Sequence, residues 1–126
     1  MTSVWTPDDL KDDPHAASDK ARRVEAMFNA IARSYDLNNR VHSLGRDQGW
    51  RRAAVRFAHL ETGDRALDCA CGTGDMAFAL ADAGAKVTGL DFTTGMLEVA
   101  VRKAHASKSE KWKSVVFLRG DVLALP

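Results

Sequence analysis

An α/β fold built on parallel strands is what this chain of 126 residues predicts, and three observations carry the expectation. Short apolar runs at 65–68, 86–90 and 114–119 read as strands. The segments between them hold apolar residues at helical spacing, so strands and helices alternate. A glycine-rich loop, Cys71-Gly72-Thr73-Gly74-Asp75, joins the first strand to the first of those helices. Alternation of this kind implies right-handed crossovers and a sheet in the order 3-2-1, with strand one at an edge.

The elements follow in order. Residues 1–17 carry Pro7, Pro14 and several aspartates without apolar periodicity, which predicts a mobile arm. Ser18 or Asp19 is placed to cap a helix running to about Arg33, with Val24, Met27, Phe28, Ile31, Ala32 and Tyr35 on one face. From Ser34 to Gly49 the spacing breaks into hydrogen-bonding side chains, including Tyr35, Asp36 and Asn39, and predicts a lid. A second helix is expected over Asp47 to His59, with Trp50, Ala54, Phe57 and Ala58 inward and Arg51, Arg52 and Arg56 toward solvent. Gly63 closes the connection, and strand one starts at Arg65 and ends near Asp68. The next helix turns Met76, Ala77, Leu80 and Ala81 inward and stops at Gly84. Strand two is Lys86 to Leu90. Thr94 opens a helix that buries Met96, Leu97, Ala100, Val101 and Ala104 and leaves Arg102, Lys103 and Lys108 solvated. Lys108 to Lys113, with Trp112 inside it, is expected as an exposed loop; a basic, aromatic nucleic-acid patch is the alternative. The division is therefore arm 1–17, amino-terminal helices and lid 18–62, and the strand-bearing part 63–126.

Composition narrows the function classes. Hydrophobic residues make up 45% and charged residues 28%, and the formal net charge is +1, so nothing points to nucleic acid or an anionic surface as partner. No apolar run reaches the ~20 residues of a membrane span, and the polar, acidic start is unlike a signal peptide, which leaves the cytoplasm as the expected location. Cys69 and Cys71 are too close for good disulfide geometry and lack zinc-ligand companions, so they are expected as small packing residues. His15, His42, His59 and His105 are scattered without metal-ligand spacing, and no metal is expected.

The chemistry concentrates at three acids. Asp68 ends strand one, and the small residues Ala70, Gly72 and Gly74 let the backbone pass close to a ligand. Asp91 ends strand two, about 20 residues on, where a carboxylate can accept both hydroxyls of a ribose. Asp121 follows strand three and could accept an exocyclic amine of adenine, with the Val122 backbone N–H donating to the ring. Gly72, Gly74 and Ala77 also satisfy the spacing of a dinucleotide site. Asp68 decides between them: a carboxylate there repels a pyrophosphate and suits an ammonium and a sulfonium, the charges of S-adenosylmethionine. The bland readings are an Asp68 that caps the following helix and an Asp121 that serves a turn.

With these residues in place, the chain resembles the menaquinone and ubiquinone biosynthesis C-methyltransferases, a class I S-adenosylmethionine-dependent family. The likeness runs from about residue 20 to the end: Met27-Phe28-Asn29-Ala30-Ile31-Ala32, Tyr35-Asp36 with Asn39, Ser43-Leu44-Gly45, Trp50-Arg51, Leu67-Asp68 with Gly72-Thr73-Gly74-Asp75, Gly89-Leu90-Asp91-Phe92 with Met96-Leu97, and Gly120-Asp121 with Leu125-Pro126. Asp47, Gln48, Gly49 and Asn38 depart from the family pattern. The resemblance implies a Rossmann-like class I methyltransferase fold, incomplete here, with amino-terminal lid helices. It implies that Gly72, Thr73 and Gly74 hold the methionine portion, Asp91 the ribose, and Asp121 with Val122 the adenine, while Tyr35, Asp36 and Asn39 face the acceptor. The acceptor implied is a prenylated quinol, methylated on a ring carbon once a neighbouring hydroxyl loses its proton. His42 and Asp47 are candidates for that base by location alone.

The resemblance also implies only the first half of the domain, inactive by itself, with peripheral access to a membrane-borne substrate and an exposed sheet edge open to self-association. Two other classes remain: a non-catalytic assembly module that pairs that edge with a partner, and an NAD-dependent oxidoreductase resting on the glycine spacing.

Overall fold

The computed structural model describes residues 19–125. The expected arm at 1–17, the Ser18 cap and Pro126 lie outside the described residues.

Three helices come first: α1 (Lys20–Ile31), α2 (Tyr35–His42) and α3 (Asp47–Phe57). They lead into β1 (Arg65–Cys69), α4 (Asp75–Asp82), β2 (Lys86–Asp91), α5 (Thr94–Ala106), the short α6 (Glu110–Lys113), β3 (Val116–Arg119) and a 3₁₀ turn, Val122–Ala124. The strands form one parallel sheet in the order β1-β2-β3, as the alternating pattern requires. Register sets Asp68 opposite Gly89 and Asp91 opposite Arg119, so the acid-bearing ends share one edge.

The core lies between the sheet and α4 with α5. Ala77, Phe78, Ala81, Ala85, Val87, Ala104 and Val115 are buried there, and Trp112 and Phe117 pack against them. Phe78 is its centre: the Trp112 ring stacks on it at 4.4 Å, and Phe117 meets it edge-on at 5.8 Å. Trp112 also donates its indole N–H to the Asp82 carboxylate, 2.9 Å away. Residues 110–113 are therefore a helical turn anchored in the core rather than the exposed loop expected there. The other sheet face presents Leu67, Val116 and Leu118, each about half exposed.

Several expectations need correction. The segment 34–49, where the spacing breaks, holds the short helix α2 and a turn. Val101 is exposed rather than buried, because α5 turns Met96, Ala100 and Ala104 inward. The largest reversal is in α3. Trp50 and Phe57 lie exposed, at 62% and 83%, while Asp47 is buried and Arg51 turns in to meet it at 2.6 Å. Arg51 also reaches Asp75 at the start of α4, so an ion-pair network rather than apolar burial decides which face of α3 points inward. Lys103 was likewise expected in solvent, yet its ammonium lies against Asp36 and Asp75.

Candidate functional site: the carboxyl edge of the sheet

The loop after β1 is the most contorted stretch of backbone in the site. Ala70, Gly72 and Gly74 all take left-handed conformations, with φ of 56°, 55° and 91°. For Ala70 this costs about 1 kcal/mol, a strain of the kind that sites retain for ligand geometry. Gly74 has no alternative: a Cβ there would stand 3.1 Å from Ala100, Phe117 and Phe78. The loop is pinned by Cys71 N–H donating to the Leu90 carbonyl at 2.9 Å and Gly74 N–H donating to the Cys71 carbonyl at 3.0 Å. Cys71 is buried, and burial pushes its thiol up to about 12, with Asp68 and Asp91 adding to the shift. Cys69, expected as a packing residue too, is exposed.

Asp91 is buried, and each of its oxygens accepts a backbone N–H at 2.8 Å, one from Gly72 and one from Thr93. It therefore ties the glycine loop to the start of α5. A carboxylate offers about four lone-pair positions, so two remain for a ligand's hydroxyls. The Asp91 carbonyl also accepts from Gly120 N–H at 3.0 Å, which draws Asp121 beside the end of β2. Asp121 accepts from Leu123 N–H at 2.9 Å and so caps the 3₁₀ turn; Val122 is exposed next to it.

Asp68 differs from both. Its Oδ2 is buried without a hydrogen-bond partner among the described residues. Burial raises its carboxyl above the ordinary carboxylate range, the backbone of Ala77 opposes the shift, and the nearby Asp91 charge adds to it. The N-cap of α4 is Gly74, which has no side chain to cap with, and the hydrogen bond from the backbone of Ala77 ties Asp68 to the first turn of that helix. A buried carboxylate oxygen left unpaired costs about 1–3 kcal/mol, and a donor from a ligand would recover it.

The amino-terminal helices close over this edge. Asn29 on α1 accepts from Gly95 N–H at 2.7 Å, and Glu25 pairs with Arg119 at 2.7 Å. Tyr35, Asp36 and Asn39 share the half-buried face of α2. Asp36 meets the glycine loop directly: it accepts from the buried Thr73 hydroxyl at 2.5 Å and pairs with Lys103 Nζ at 2.6 Å. The acceptor-side and loop-side residues expected from sequence are thus joined by one hydrogen bond. Lys103, Arg51 and Asp75 complete the network and were not singled out as site residues; the one sequence signal was Asp75 following the loop. Beside them, Asn39, His42, Trp50, Ala54 and Met76 line a cleft of about 650 Å³. Asp47 also borders it; burial alone would raise its carboxyl, but hydrogen bonds from Arg51 and Ser43 outweigh that and hold it below the ordinary range.

Comparison with known proteins identifies the family and the fold. The profile of the ubiE/COQ5 methyltransferase family matches residues 16–126. A demethylmenaquinone methyltransferase of Deinococcus radiodurans is 47% identical over 110 residues, which cover 86% of this chain and 44% of that protein. One from Thermus thermophilus is 49% identical over 102 residues, 79% of this chain and 44% of its own. The chain thus spans less than half the length of these relatives. Among solved structures, the glycopeptide N-methyltransferase MtfA, complexed with sinefungin, superposes with a TM-score of 0.54 over 63% of this chain and 31% of its own. At 22% identity that likeness shows a shared fold, the class I methyltransferase α/β fold.

Proposed function

The chain belongs to the ubiE/COQ5 methyltransferase family, and on that premise we propose that it provides the S-adenosylmethionine side of a methyl transfer to a ring carbon of a prenylated quinol. The observation that carries the proposal is the partnerless Oδ2 of Asp68, buried where the glycine loop leaves the sheet. Burial, with the Asp91 charge adding to it, raises this carboxyl, and a ligand ammonium would offset that cost. The cofactor, when bound, supplies an electrophilic methyl on a positively charged sulfur.

The chain's own residues do the rest. Asp68 takes the ammonium, and the backbone of Gly72, Thr73 and Gly74 lies along the methionine portion. Asp91 accepts the ribose hydroxyls with its remaining lone pairs, and Asp121 with the Val122 N–H holds the adenine. Tyr35 and Asn39 face the acceptor, whose ring sits in the cleft between α2, α3 and Met76. Proton removal from the acceptor hydroxyl falls to His42 rather than Asp47. His42 lines the cleft, whereas the Asp47 carboxylate is engaged by Arg51 and lowered in basicity. No described helix is long and apolar enough to cross a membrane. Leu37, Val41, Leu44, Trp50 and Phe57, all exposed on or beside α2 and α3, offer the apolar surface for a lipid-borne acceptor, reached from the cytoplasm.

Calorimetric titration with S-adenosylmethionine and, separately, NAD tests the reading on wild type and Asp68→Asn. Saturable binding of the former alone, weakened at least about tenfold in the variant, is expected from loss of a charge-assisted contact. Binding of NAD instead would transfer the site to the oxidoreductase reading. A second reading, an assembly module, rests on the outer edge of β1, which has no strand partner among the described residues. Sedimentation showing a stable dimer without cofactor binding would favour it.

A further inference from the structure

Lys103 lies on α5, away from every motif in the glycine loop, yet its ammonium contacts both sides of the site. Nζ stands 2.6 Å from Asp36 on α2, 2.5 Å from Asp75 at the start of α4 and 3.5 Å from the Thr73 hydroxyl. Asp36 in turn accepts from that hydroxyl. Asp36 and Asp75 therefore converge on the ammonium of Lys103, with the Thr73 hydroxyl bonded to Asp36 beside it, and Arg51 reaches Asp75 from α3. Without Lys103, Asp36 loses its ion-pair partner and Asp75 keeps only Arg51.

This matters because α2 has little else to hold it. It is eight residues long, none of them buried, and Leu37 and Val41 face outward. A helix of two turns has no stability of its own and takes it from tertiary contacts. Here the Tyr35 ring meets Phe28 of α1 edge-on at 6.3 Å, and the polar contacts of Asp36 end on the loop that the functional reading assigns to the cofactor.

We propose that Lys103 is a positioning residue that latches α2 onto the glycine loop, so that seating of α2 and shaping of the cofactor loop are one coupled event. The proposal rests on the cofactor site proposed above and adds its regulation. Linkage makes the coupling reciprocal: cofactor binding tightens α2, and a seated α2 raises cofactor affinity by the same factor. Lys103 touches neither ligand in this scheme; it acts through Asp36, Asp75 and Thr73.

Amide hydrogen exchange over residues 35–42, with and without S-adenosylmethionine, tests this on the full chain as wild type, Lys103→Met and Lys103→Arg. Thermal denaturation serves as the control for global stability. The latch predicts that Lys103→Met speeds exchange in 35–42 at least tenfold while segments of the sheet keep their protection, weakens cofactor binding at least fivefold, and no longer gains protection on cofactor addition. Lys103→Arg, which keeps the charge, restores most of each effect. Should Lys103→Met melt the whole fold, Asp36→Asn breaks the α2 side alone and must give the same local pattern. Unchanged exchange in 35–42 for either variant overturns the latch. Faster exchange with unchanged affinity overturns the coupling, and failure of wild type to bind S-adenosylmethionine overturns the functional reading, while the exchange comparison still judges the latch.

Discussion

The sheet with α4 and α5 and the helical layer of α2 with α3 are held together by different forces. In the first, apolar side chains face inward, with Phe78, Met96, Ala100 and Ala104 buried around the strands. In the second, the inward faces carry Asp36, Asn39, Asp47 and Arg51, and Leu37, Trp50 and Phe57 are turned out. The difference teaches that burial of apolar area orients the elements under the glycine loop, whereas charge pairing orients those above it. A layer held by a few ion pairs can open and reseat at low cost, and the sheet beneath it cannot.

The most damaging break lies on the sheet side. Gly74→Val puts a branched side chain at φ 91°, where even a Cβ would press on Ala100, Phe117 and Phe78 at 3.1 Å. Overpacking and left-handed strain together should cost about 3–5 kcal/mol, read as loss of the cooperative thermal transition. In the helical layer, Arg51→Leu strips the partner from Asp47 and one contact from Asp75. A loss of about 1–2 kcal/mol is expected, against less than about 0.5 kcal/mol for Phe57→Ser on the same helix. Equal losses from the two would show that apolar packing holds α3 after all.

That contrast also explains what could be read in the sequence. Strand order, the helix after the glycine loop and the three acids at the strand ends were legible, because period-2 runs, glycines and helical spacing report directly on burial and backbone shape. The orientation of α3 was not: Trp50, Ala54 and Phe57 form a better apolar stripe than its true inner face, and only tertiary ion pairing overrides it. Lys103 was hidden for the same reason, since a lysine on an amphipathic helix reads as solvated until Asp36 and Asp75 arrive from distant segments. Phe78, the centre of the core, escaped because it sits among alanines in an otherwise small-residue helix.

Smaller effects sharpen the comparison on the sheet side. The raised carboxyl of Asp68 means that, from the ordinary value of about 4 upward to its folded value, the native state holds more protons than the unfolded chain. Stability from this group is therefore present at low pH and lost as pH rises through that window. Asp68→Asn should remove the slope and raise the neutral-pH melting temperature by roughly 2–5 °C while weakening the cofactor. A lower melting point in the variant would mean that the carboxylate is satisfied in solution. The least invasive probe is alkylation at pH 8 followed by peptide mapping. Exposed Cys69 should label in the folded protein and Cys71, its thiol at about 12, only after denaturation.

The central claim is that the carboxyl edge of the sheet, roofed by α2, receives S-adenosylmethionine. Backbone amide shifts of nitrogen-15 labelled protein during titration with that ligand test it most directly. The account predicts saturable shifts at Gly72, Thr73, Thr93 and Val122 and at Asp36 on α2, with exposed Phe57 at the end of α3 unmoved. Shifts confined to α3, or none at millimolar ligand, would contradict it.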